Sequence, residues 1–311
     1  MDKVNFLKKS VTPFLGQSDY AKEICKLIGT ISENKSNVLL FGERGTGKRL
    51  FAEHVHFNKC GNLKNFFVLN CRFERDLFLQ KLNKVQNDLQ FSDGDFKSVF
   101  FENIDKLNLE TQNDVLLFLK KLKEFDSSTQ IRVFCSTESF LENKVSQGLF
   151  NNDLFYYLSS IVLNFLPLRS RKEDIVTIAN YYKSYFEKKS GIVFDSFSDS
   201  VIEVLKNYFW NGNVDELINT IQHAFIVANK SYITKKDLGI DSSFASADIV
   251  DSSDVELQDK SLKTAIDAFK KDYVTKILEE NGWNQTKTAK ILGIQRTYVI
   301  RLINELQIMR K

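Results

Sequence analysis

Short apolar runs alternate with longer amphipathic segments between residues 37 and 135. The runs NVLLF (37–41), FFVLN (66–70), SVFFE (98–102) and IRVFCS (131–136) have the length and the β-branched and aromatic content of buried strands. The segments between them have helical periodicity, and in 109–123 it is carried by Leu109, Val115, Leu116, Leu119 and Leu122. Because strand and helix alternate, we predict a parallel sheet covered by helices on both faces.

The strand pattern ends at Pro167, and helical patterns follow it. The segment SRKEDIVTIANYYKSYF begins with Ser170 and Glu173 at the spacing of a capping box. Its apolar face is formed by Ile175, Ala179, Tyr182 and Phe186. Helices around 200–208 and 214–229 come next, and Asn213, with Glu216 three residues on, is expected to open the second. The pattern predicts a small all-helical domain.

Residues 239–259 are rich in Ser and Asp and have little periodicity, which is typical of a linker. The segment that follows the linker is again helical in pattern. A chain of 311 residues is long enough for two or three domains. We therefore predict an α/β domain over 1–168, a helical domain over 169–238, a linker over 239–259 and a second helical domain over 260–311.

The composition is that of a globular protein, with 43% hydrophobic and 27% charged residues, and it excludes a disordered chain. The net charge of +3 is too small to indicate a nucleic-acid partner by itself. Residues 260–311, however, contain 11 Lys and Arg against 5 Asp and Glu. Such a local excess is typical of a phosphate-binding surface, although a solvated basic helix pair has the same charge pattern.

The cysteines and the start of the chain indicate the compartment. Cys25, Cys60, Cys71 and Cys135 are scattered without a CxxC pair, which is typical of reduced thiols and argues against a metal site. Lys8 and Lys9 lead into the segment SVTPFLGQSD instead of the apolar run of a signal peptide. Since no apolar stretch approaches the ~20 residues of a membrane span, we expect a cytoplasmic protein with no membrane partner.

A glycine-rich loop follows the first strand and precedes a helical pattern. It consists of Gly42, Glu43, Arg44, Gly45, Thr46, Gly47, Lys48 and Arg49. Glycines let successive N–H groups point at phosphate oxygens, and the helix N-terminus adds partial positive charge. We predict that these eight residues bind a nucleotide, with Lys48 reaching the β- and γ-phosphates. The alternative is a plain strand-to-helix turn, and Arg49 stands where the strict motif has a magnesium-binding Ser or Thr.

The loop GERGTGKR resembles the GExGTGKE loop of the AAA+ domain in NtrC-like activators of sigma-54 RNA polymerase. The similarity continues in FLGQS (14–18), FFVLNC (66–71), GLFNNDLFYYLSSIVLNFLPLRSRKEDI (148–175) and YFWNGNVDELINTI (208–221). It implies an α/β AAA+ P-loop domain over 1–168, a helical lid domain over 169–238 and ATP with Mg²⁺ as the ligand. Because the family's start is matched at 14–18, we expect no receiver or ligand-sensing domain before it.

Glu102 and Asn103 stand where the resemblance places the Asp–Glu pair that serves ATP hydrolysis. Hydrolysis needs a carboxylate that holds Mg²⁺ and a base that orients the attacking water. Glu102 can still meet the metal, but the carboxamide of Asn103 accepts no proton. Since general-base help is typically worth about 10²–10⁴-fold, we expect a very weak ATPase or none.

Other positions that the resemblance assigns to catalysis have changed as well. The two arginines that act on a neighbouring subunit's γ-phosphate correspond to Asn151 and Tyr157. The lid arginine corresponds to Asp215, and the sensor asparagine corresponds to Glu138. Because an arginine finger is worth about 10³–10⁵ in rate, these changes agree with poor hydrolysis.

Two further points concern the family's mechanism. Arg132, Arg169 and Arg171 are the candidates for substitute arginine fingers. The sigma-contacting GAFTGA loop of the family is missing between Cys71 and Phe101, where the sequence is RFERDLFLQKLNKVQNDLQFSDGDFKSV. The resemblance therefore implies a protein without the usual means of remodelling sigma-54 polymerase.

The end of the chain has the pattern of two short helices behind a longer one. In 261–282 the residues Leu262, Ile266, Phe269, Tyr273 and Ile277 share a helical face, and Gly282 ends the helix. Asn284 is expected to cap the helix QTKTAKIL, and Gly293-Ile294 turns into QRTYVIRLINEL. This is typical of a helix-turn-helix, and the segment resembles the Fis-type domain of many NtrC-like activators. An ordinary helical hairpin is the alternative.

Helical spacing divides this last domain into a core and a DNA-binding face. The predicted core is Ala289, Ile291, Leu292, Ile294, Val299, Leu302, Ile303 and Leu306. The predicted DNA-binding residues are Lys287, Lys290, Gln295, Arg296, Thr297, Tyr298 and Arg301. Arg and Gln can bind the edges of guanine and adenine, whereas Lys binds phosphates. The apolar face of 262–277 suggests a dimer with half-sites ~34 Å apart.

These features predict a DNA-binding transcription regulator of the sigma-54-dependent family whose AAA+ module binds ATP but hydrolyses it poorly. Its expected partners are double-stranded DNA, further copies of itself as a dimer or ring, an active paralogue in mixed rings, and sigma-54 RNA polymerase. Two other functions stay open. One is an active AAA+ ATPase that drives promoter opening, and the other is a Fis-like architectural DNA-binding protein.

Overall fold

The computed structural model describes residues 11–91, 96–122, 130–228, 231–240, 271, 274–275, 277–279, 281–292, 296–306 and 308. The chain divides into two compact units, Met1–Ser246 and Ala247–Lys311, and each is described by itself. Within the described ranges, no helix combines the length and the apolar content that a bilayer crossing requires.

A five-stranded sheet forms the centre of the first unit. Its strands are β1 (Val38–Phe41), β2 (Phe66–Asn70), β3 (Phe96–Glu102), β4 (Gln130–Thr137) and β5 (Ile161–Asn164). They lie in the order β2-β3-β4-β1-β5, and every neighbouring pair is parallel. The predicted parallel α/β fold is confirmed. Because β1 lies beside β4, the loop after β1 is next to the residues that follow β4.

The edge strand β5 was not predicted from the sequence. It has four residues, and its side chains alternate between half-buried and exposed positions. An edge strand of this length contacts the sheet on one side only, so it has no long apolar run. The four predicted strands are present with boundaries within two residues of the expected ones.

Helices cover both faces of the sheet. They are α1 (Asp19–Glu33), α2 (Lys48–Cys60), α3 (Arg75–Phe91), α4 (Leu109–Leu122), α5 (Leu141–Ser146) and α6 (Asn152–Leu158), with a 3₁₀ turn at Ile104–Lys106. Successive residues of β3 point to opposite faces. Phe100 packs in the core with α1 and α2, whereas Phe101 packs in the core with α3 and α4. The sheet is thus buried on both sides, as a parallel sheet requires.

The helical part of the first unit contains α7 (Lys172–Ser190), α8 (Asp199–Asn207) and α9 (Asn213–Val227), preceded by a 3₁₀ turn at Leu168–Ser170. Its core is centred on Trp210, whose side chain is fully buried. The indole Nε1 donates a hydrogen bond to the backbone oxygen of Leu205 at 2.7 Å, so the one polar atom of the ring is satisfied.

The predicted start of α7 was wrong, whereas α9 begins at Asn213 as expected but without a side-chain cap. Ser170 lies in the 3₁₀ turn, and α7 follows Arg171 without a side-chain capping bond. Asn213 does not cap α9 with its side chain: its φ is 52°, and its amide bonds elsewhere. The carboxylate of Glu216 instead accepts a hydrogen bond from the N–H of Gly212 at 2.8 Å. The amide of Asn213 is used at the glycine-rich loop, which the local pattern does not indicate.

The second unit contains α10 (Gln285–Leu292) and α11 (Arg296–Glu305), the two short helices that the pattern predicts. The carboxamide oxygen of Asn284 accepts bonds from the N–H groups of Thr286 and Lys287 at 3.2 and 3.1 Å, so the predicted cap is confirmed. Of the predicted supporting helix, Ile277 is described and is helical, and Gly282 has a φ of 59°. Leu262, Ile266, Phe269, Tyr273 and the linker from residue 241 lie outside the described residues.

The core of the second unit differs from the prediction at one position. Ala289, Val299 and Leu302 are buried, and Ile303 and Leu306 pack beside them. Ile291, in contrast, is 58% exposed. It lies two positions after Ala289 in α10, about 200° further around the helix, so it faces away from the core. Ile294 and the side chain of Leu292 lie outside the described part of the chain.

Candidate functional site

The glycine-rich loop of residues 42–49 connects the end of β1 to the first turn of α2. Gly42, Gly45 and Gly47 all have positive φ, at 148°, 75° and 101°. A side chain at Gly42 would place its Cβ 2.5 Å from the backbone oxygen of Phe165, and one at Gly45 would collide with the backbone oxygen of Gly212. Glycine is therefore required at both positions by conformation and by space.

Lys48 is the first residue of α2 and lies inside the loop. Its ammonium group donates to the backbone oxygens of Gly42 at 2.5 Å and Glu43 at 2.6 Å. The side chain is almost fully buried, and this burial lowers the pKa of Lys48. The hydroxyl of Thr46 also donates to the oxygen of Glu43, at 2.8 Å. The predicted phosphate-binding lysine therefore lies where the loop curls around it.

Arg49 occupies the place of the usual magnesium-binding hydroxyl and points along the helix. Its Nε lies 2.9 Å from a carboxylate oxygen of Glu53, one turn further along α2. Half of the Arg49 side chain is exposed. Arg49 thus supplies positive charge at the cavity but no oxygen for a metal ion.

Two residues of the helical part bind the loop directly. Arg169 donates from both terminal nitrogens to the carboxylate of Glu43, at 2.8 and 2.5 Å, and this interaction lowers the pKa of Glu43. Asn213 donates to the carboxylate of Glu43 at 3.1 Å and to the backbone oxygen of Arg44 at 2.8 Å. Its oxygen accepts from the N–H of Leu168 at 2.7 Å. The loop and the helical part are therefore held together by a partly buried polar network.

Arg171 and Asp174 extend this network to α1. Arg171 is buried and donates to the backbone oxygen of Thr46 at 2.9 Å. Asp174 is fully buried and accepts bonds from the N–H groups of Gln17 and Ser18 and from the hydroxyl of Ser18, at 2.7 to 2.8 Å. The start of α7 thus fixes both the loop and the start of α1.

A cavity of about 490 Å³ opens beside the loop. It is bounded by the loop, by the carboxyl ends of β2, β3 and β4, and by the first turns of α9. Its polar lining residues are Thr12, Arg44, Lys48, Arg49, Glu53, Asn70, Arg72, Glu102, Asn103, Ser136, Glu138, Tyr182 and Asp215. The structure therefore brings Arg44, Lys48, Arg49, Glu102 and Asn103 of the predicted site into one cavity, at the sheet edge where ligands of parallel α/β folds bind.

Glu102 and Asn103 follow one another at the end of β3. Glu102 is half-buried and lines the cavity. Asn103 has a φ of 61°, and its N–H donates to the hydroxyl of Ser136 at 3.0 Å. Asparagine tolerates this left-handed conformation better than most residues. The backbone thus turns so that the Asn103 side chain faces the ends of β2 and β4.

An ion pair lies next to Asn103. Arg72 follows β2 and Glu138 follows β4, and their side chains meet with Nη2 and Oε1 2.8 Å apart. In the orientation that satisfies both neighbours, the amide nitrogen of Asn103 lies 3.3 Å from Glu138 Oε1, and its oxygen lies 3.2 Å from Arg72 Nε. Arg72 was not predicted from the sequence, since one positively charged residue after a strand does not by itself indicate a site.

The three candidate arginine fingers all have contacts within the first unit. Arg169 binds Glu43, and Arg171 binds the oxygen of Thr46. Arg132 lies on β4 and is 1% exposed, so it does not reach another molecule. Among the described residues, none accepts a hydrogen bond from its three guanidinium nitrogens, which lie between the rings of Phe96 and Phe134.

The residues at the family's two arginine positions are also engaged in the fold. The carboxamide of Asn151 accepts from the N–H of Leu154 at 2.9 Å and caps α6. The hydroxyl of Tyr157 donates to the backbone oxygen of Leu119 at 3.2 Å, and burial raises the pKa of Tyr157. Neither side chain carries positive charge to a neighbouring molecule.

Five of the seven predicted DNA-binding residues are exposed on the second unit. Lys287 and Lys290 on α10 and Arg296, Tyr298 and Arg301 on α11 are exposed. Gln295 and the side chain of Thr297 lie outside the described part of the chain. Each short helix therefore carries two exposed cations, whereas Ala289 on α10 and Val299 on α11 are buried.

Three protein families match consecutive parts of the chain. The sigma-54 interaction domain matches residues 14–164, the AAA+ ATPase lid domain matches 169–249, and the bacterial regulatory protein of the Fis family matches 265–301. These segments cover the loop, its helical partner and the two short helices.

Individual relatives match most of the chain. It is 27% identical over 309 residues to the regulatory protein AtoC of Escherichia coli, covering 94% of this chain and 67% of AtoC. It is 25% identical to the transcriptional regulatory protein ZraR of Klebsiella oxytoca, covering 91% of this chain and 66% of ZraR. The chain thus spans about two thirds of the length of these relatives.

The fold also matches a solved structure. The crystal structure of NtrX from Brucella abortus in complex with ATP superposes with a TM-score of 0.62 at 20% sequence identity, covering 96% of this chain and 70% of that one. At this identity the similarity concerns the fold.

Proposed function

The chain belongs to the NtrC-like family of sigma-54-dependent regulators, and on this basis we propose that it is a DNA-binding transcription regulator whose AAA+ module binds nucleotide but hydrolyses ATP poorly. The single observation that carries the nucleotide site is the position of Lys48, buried in a glycine loop at the edge of a cavity that three strand ends and the lid enclose. A phosphate chain would replace the loop oxygens as the partner of the Lys48 ammonium group.

Nucleotide binding is further supported by the similarity to the ATP complex of NtrX. The residues present fit a magnesium ion with one protein carboxylate: Glu102 would hold it together with phosphate oxygens, while Arg49 offers no ligand. Bound there, the ion would neutralise phosphate charge. Arg44, Lys48 and Arg49 would add positive charge around the phosphates.

Poor hydrolysis follows from the groups around the phosphate end of the cavity. Asn103 has no carboxylate with which to orient a water molecule, and it contacts Arg72 and Glu138 instead. The arginines that could stabilise transition-state charge are buried or bound to loop atoms. In the segment where the family carries its GAFTGA loop, α3 is a continuous helix over Arg75–Phe91. We therefore propose that this protein does not remodel sigma-54 polymerase by the family's usual contact.

The DNA-binding proposal is carried by the exposed cations of α10 and α11 over a small buried core, together with the match to the Fis family. Arg296, Tyr298 and Arg301 would contact bases in the major groove, and Lys287 and Lys290 would contact phosphates. Oligomers of this chain, or mixed rings with an active paralogue, would allow it to modulate sigma-54-dependent promoters.

A working ATPase is the second candidate, and one observation favours it. A carboxylate oxygen of Glu138 lies 3.3 Å from the amide of Asn103, so the cavity still contains a carboxylate and a carboxamide near each other. Here the carboxamide follows β3 and the carboxylate follows β4, the reverse of the arrangement that the family resemblance implies. In this alternative, Glu138 would orient the water molecule and the protein would activate sigma-54 promoters. Its ion pair with Arg72 opposes this role, because the oxygen that would hold the water molecule already accepts a hydrogen bond from the guanidinium.

The test combines nucleotide binding with steady-state hydrolysis for the wild type, Lys48→Ala and Lys59→Ala. Lys59 is the matched control, since it lies in the last turn of the same helix and its ammonium is 3.4 Å from Glu33 on the surface. We expect measurable binding, lost in Lys48→Ala only, and turnover at least about 100-fold below that of an active family member. Turnover at the family's level that Lys48→Ala abolishes would refute the weak-ATPase proposal and support the alternative.

A further inference from the structure

Besides Glu53 and Glu102, two further carboxylates line the nucleotide cavity. Glu138 enters it from the end of β4, the strand that lies beside β1 and its loop, and Asp215 enters it from the first turn of α9. We propose that the cavity prefers nucleoside diphosphates to triphosphates and that Glu138 determines this preference. The inference rests on the nucleotide binding proposed above and specifies its ligand.

The third phosphate would enter the space next to Glu138. A P-loop lysine reaches the β- and γ-phosphates, and the metal that bridges them is held from the end of the neighbouring strand. In this chain the lysine is Lys48 and the metal-holding carboxylate is Glu102. Asn103 and Glu138 line the same cavity, and the amide nitrogen of Asn103 lies 3.3 Å from Glu138 Oε1. A γ-phosphate would therefore bring negative charge close to a fixed carboxylate, which is unfavourable in a partly enclosed site.

A nucleoside diphosphate avoids this repulsion. Its β-phosphate ends within the loop, where backbone N–H groups and the Lys48 ammonium surround it. The acids that act on Lys48 and oppose the lowering of its pKa are, strongest first, Glu138, Asp105, Glu102 and Asp215. Glu138 is thus the acid that acts most strongly on the phosphate-binding lysine.

Two of the three guanidinium nitrogens of Arg72 face Glu138 and Asn103, so Arg72 is held by side chains of the protein before a ligand enters. Its Nη2 lies 2.8 Å from Glu138 and its Nε lies 3.2 Å from the oxygen of Asn103. A γ-phosphate would have to share the guanidinium with Glu138, so the single positive charge of Arg72 would face two negative groups. Asp215 adds a second negative group, since its Cγ lies 3.3 Å from the point where a Cβ of Gly45 would be.

The experiment is calorimetric titration of the full chain with ADP and with the non-hydrolysable β,γ-imido analogue of ATP, both with Mg²⁺. The wild type is expected to bind ADP at least about tenfold more tightly. Glu138→Gln should reduce this preference to about twofold or less, mainly through tighter binding of the analogue. Arg72→Met should increase the preference, because it leaves the Glu138 charge unpaired.

Glu53→Gln is the matched control, since Glu53 also lines the cavity and is also paired with an arginine, 2.9 Å from Arg49, but is not among the acids that act on Lys48. It should change the preference by less than about twofold. Equal or tighter binding of the triphosphate analogue by the wild type would overturn the inference, as would equal effects of Glu138→Gln and Glu53→Gln. Binding of neither ligand would instead refute nucleotide binding itself.

Discussion

The guanidinium of Arg169 holds the carboxylate of Glu43 through two hydrogen bonds, of 2.8 and 2.5 Å. Glu43 belongs to the glycine-rich loop and Arg169 to the turn that begins the helical lid, 126 residues further along the chain. Their contact, together with the hydrogen bond from the N–H of Val214 to the oxygen of Gly45 at 3.0 Å, joins loop and lid. These contacts therefore couple the position of the lid to the conformation of the loop.

Replacing Arg169 by Met should loosen this connection. We expect hydrogen exchange at the Val214 amide to accelerate at least about tenfold, because its bond to Gly45 opens more often. Arg75→Met is the control, since Arg75 also contacts two carboxylates, at 3.0 and 2.9 Å, but far from the lid in sequence and on the surface of α3. Equal acceleration in the two variants would contradict the role given to Arg169.

Asn213 is expected to be the most sensitive residue of the same network. Asn213→Gly removes three hydrogen bonds but keeps the positive φ of 52°, which glycine adopts without strain. Because buried partners lose their bonds, the free energy of unfolding should fall by about 2–4 kcal/mol. The measurement is urea unfolding, with Asn219→Gly on the exposed side of α9 as the control. The control should cost only about 0.3–0.5 kcal/mol, the difference in helix propensity between Asn and Gly.

Asn103→Glu should raise the rate of ATP hydrolysis, because it restores a carboxylate at the end of β3. We expect a gain of about 10- to 100-fold over the wild type, below the full effect of a general base since other changed positions stay as they are. The exchange of both groups, Asn103→Glu with Glu138→Asn, should be faster than either single variant. Asn103→Gln lengthens the side chain without adding charge and should gain nothing; a gain there would mean that reach, and not chemistry, limits the rate.

Two substitutions should separate base contacts from phosphate contacts in the second unit. Arg296→Ala should weaken binding at sites recovered by genome-wide mapping by about 10- to 100-fold, with little effect on random DNA. Lys287→Ala should weaken both alike and lower the slope of log K against log salt by about 1. Titrations at several salt concentrations measure both effects. If the wild type binds mapped and random DNA with the same affinity, the proposal of a sequence-specific regulator is wrong, and the result supports an architectural DNA-binding protein.

His56 should make folding stability depend on pH. It is fully buried on α2, and burial, with a smaller effect of Arg132, lowers its pKa to about 4. In an unfolded chain the pKa of histidine is near ~6.5, so between these values the unfolded chain binds a proton that the folded chain does not. Stability should therefore fall as pH decreases from about 6.5 towards 4.

Urea unfolding at pH 7.5, 6 and 5 checks this prediction. The midpoint of His56→Phe should fall less between pH 7.5 and 5 than that of the wild type, although the variant loses the 2.8 Å hydrogen bond to Ser98. His223→Phe replaces an exposed histidine and should keep the wild-type slope. Parallel slopes for all three proteins would show that His56 is not the group responsible.

Local patterns were sufficient for the parts of the fold that consecutive residues define. β1 to β4 were predicted because a buried parallel strand is a continuous apolar run, and the loop because its glycines and Lys48 are adjacent in sequence. β5 was missed because four residues at a sheet edge form no such run. Ile291 was misplaced because apolar character was taken to mean burial, whereas α10 is too short to bury more than one side.

The groups that complete the cavity could not be predicted in the same way. Arg72, Glu138 and Asn103 meet because three parallel strands end at one edge, and their separation in sequence carries no sign of this. Asn213 was taken for a helix cap, the usual role of asparagine before an apolar helix. Its actual partners lie 170 residues earlier in the loop, so only the folded chain reveals the contact.

The crowding around Gly42 and Gly45 has an evolutionary consequence. Both glycines are surrounded by backbone oxygens of the protein itself, those of Phe165 and Gly212, with no nucleotide involved. A lineage that abandoned ATP altogether would still keep them, since a side chain at Gly42 would collide with the residue after β5 and one at Gly45 with the residue before α9. The conservation of these glycines in related sequences would therefore indicate that the fold is kept. Whether nucleotide-dependent activity is kept has to be read from the polar side chains of the cavity instead.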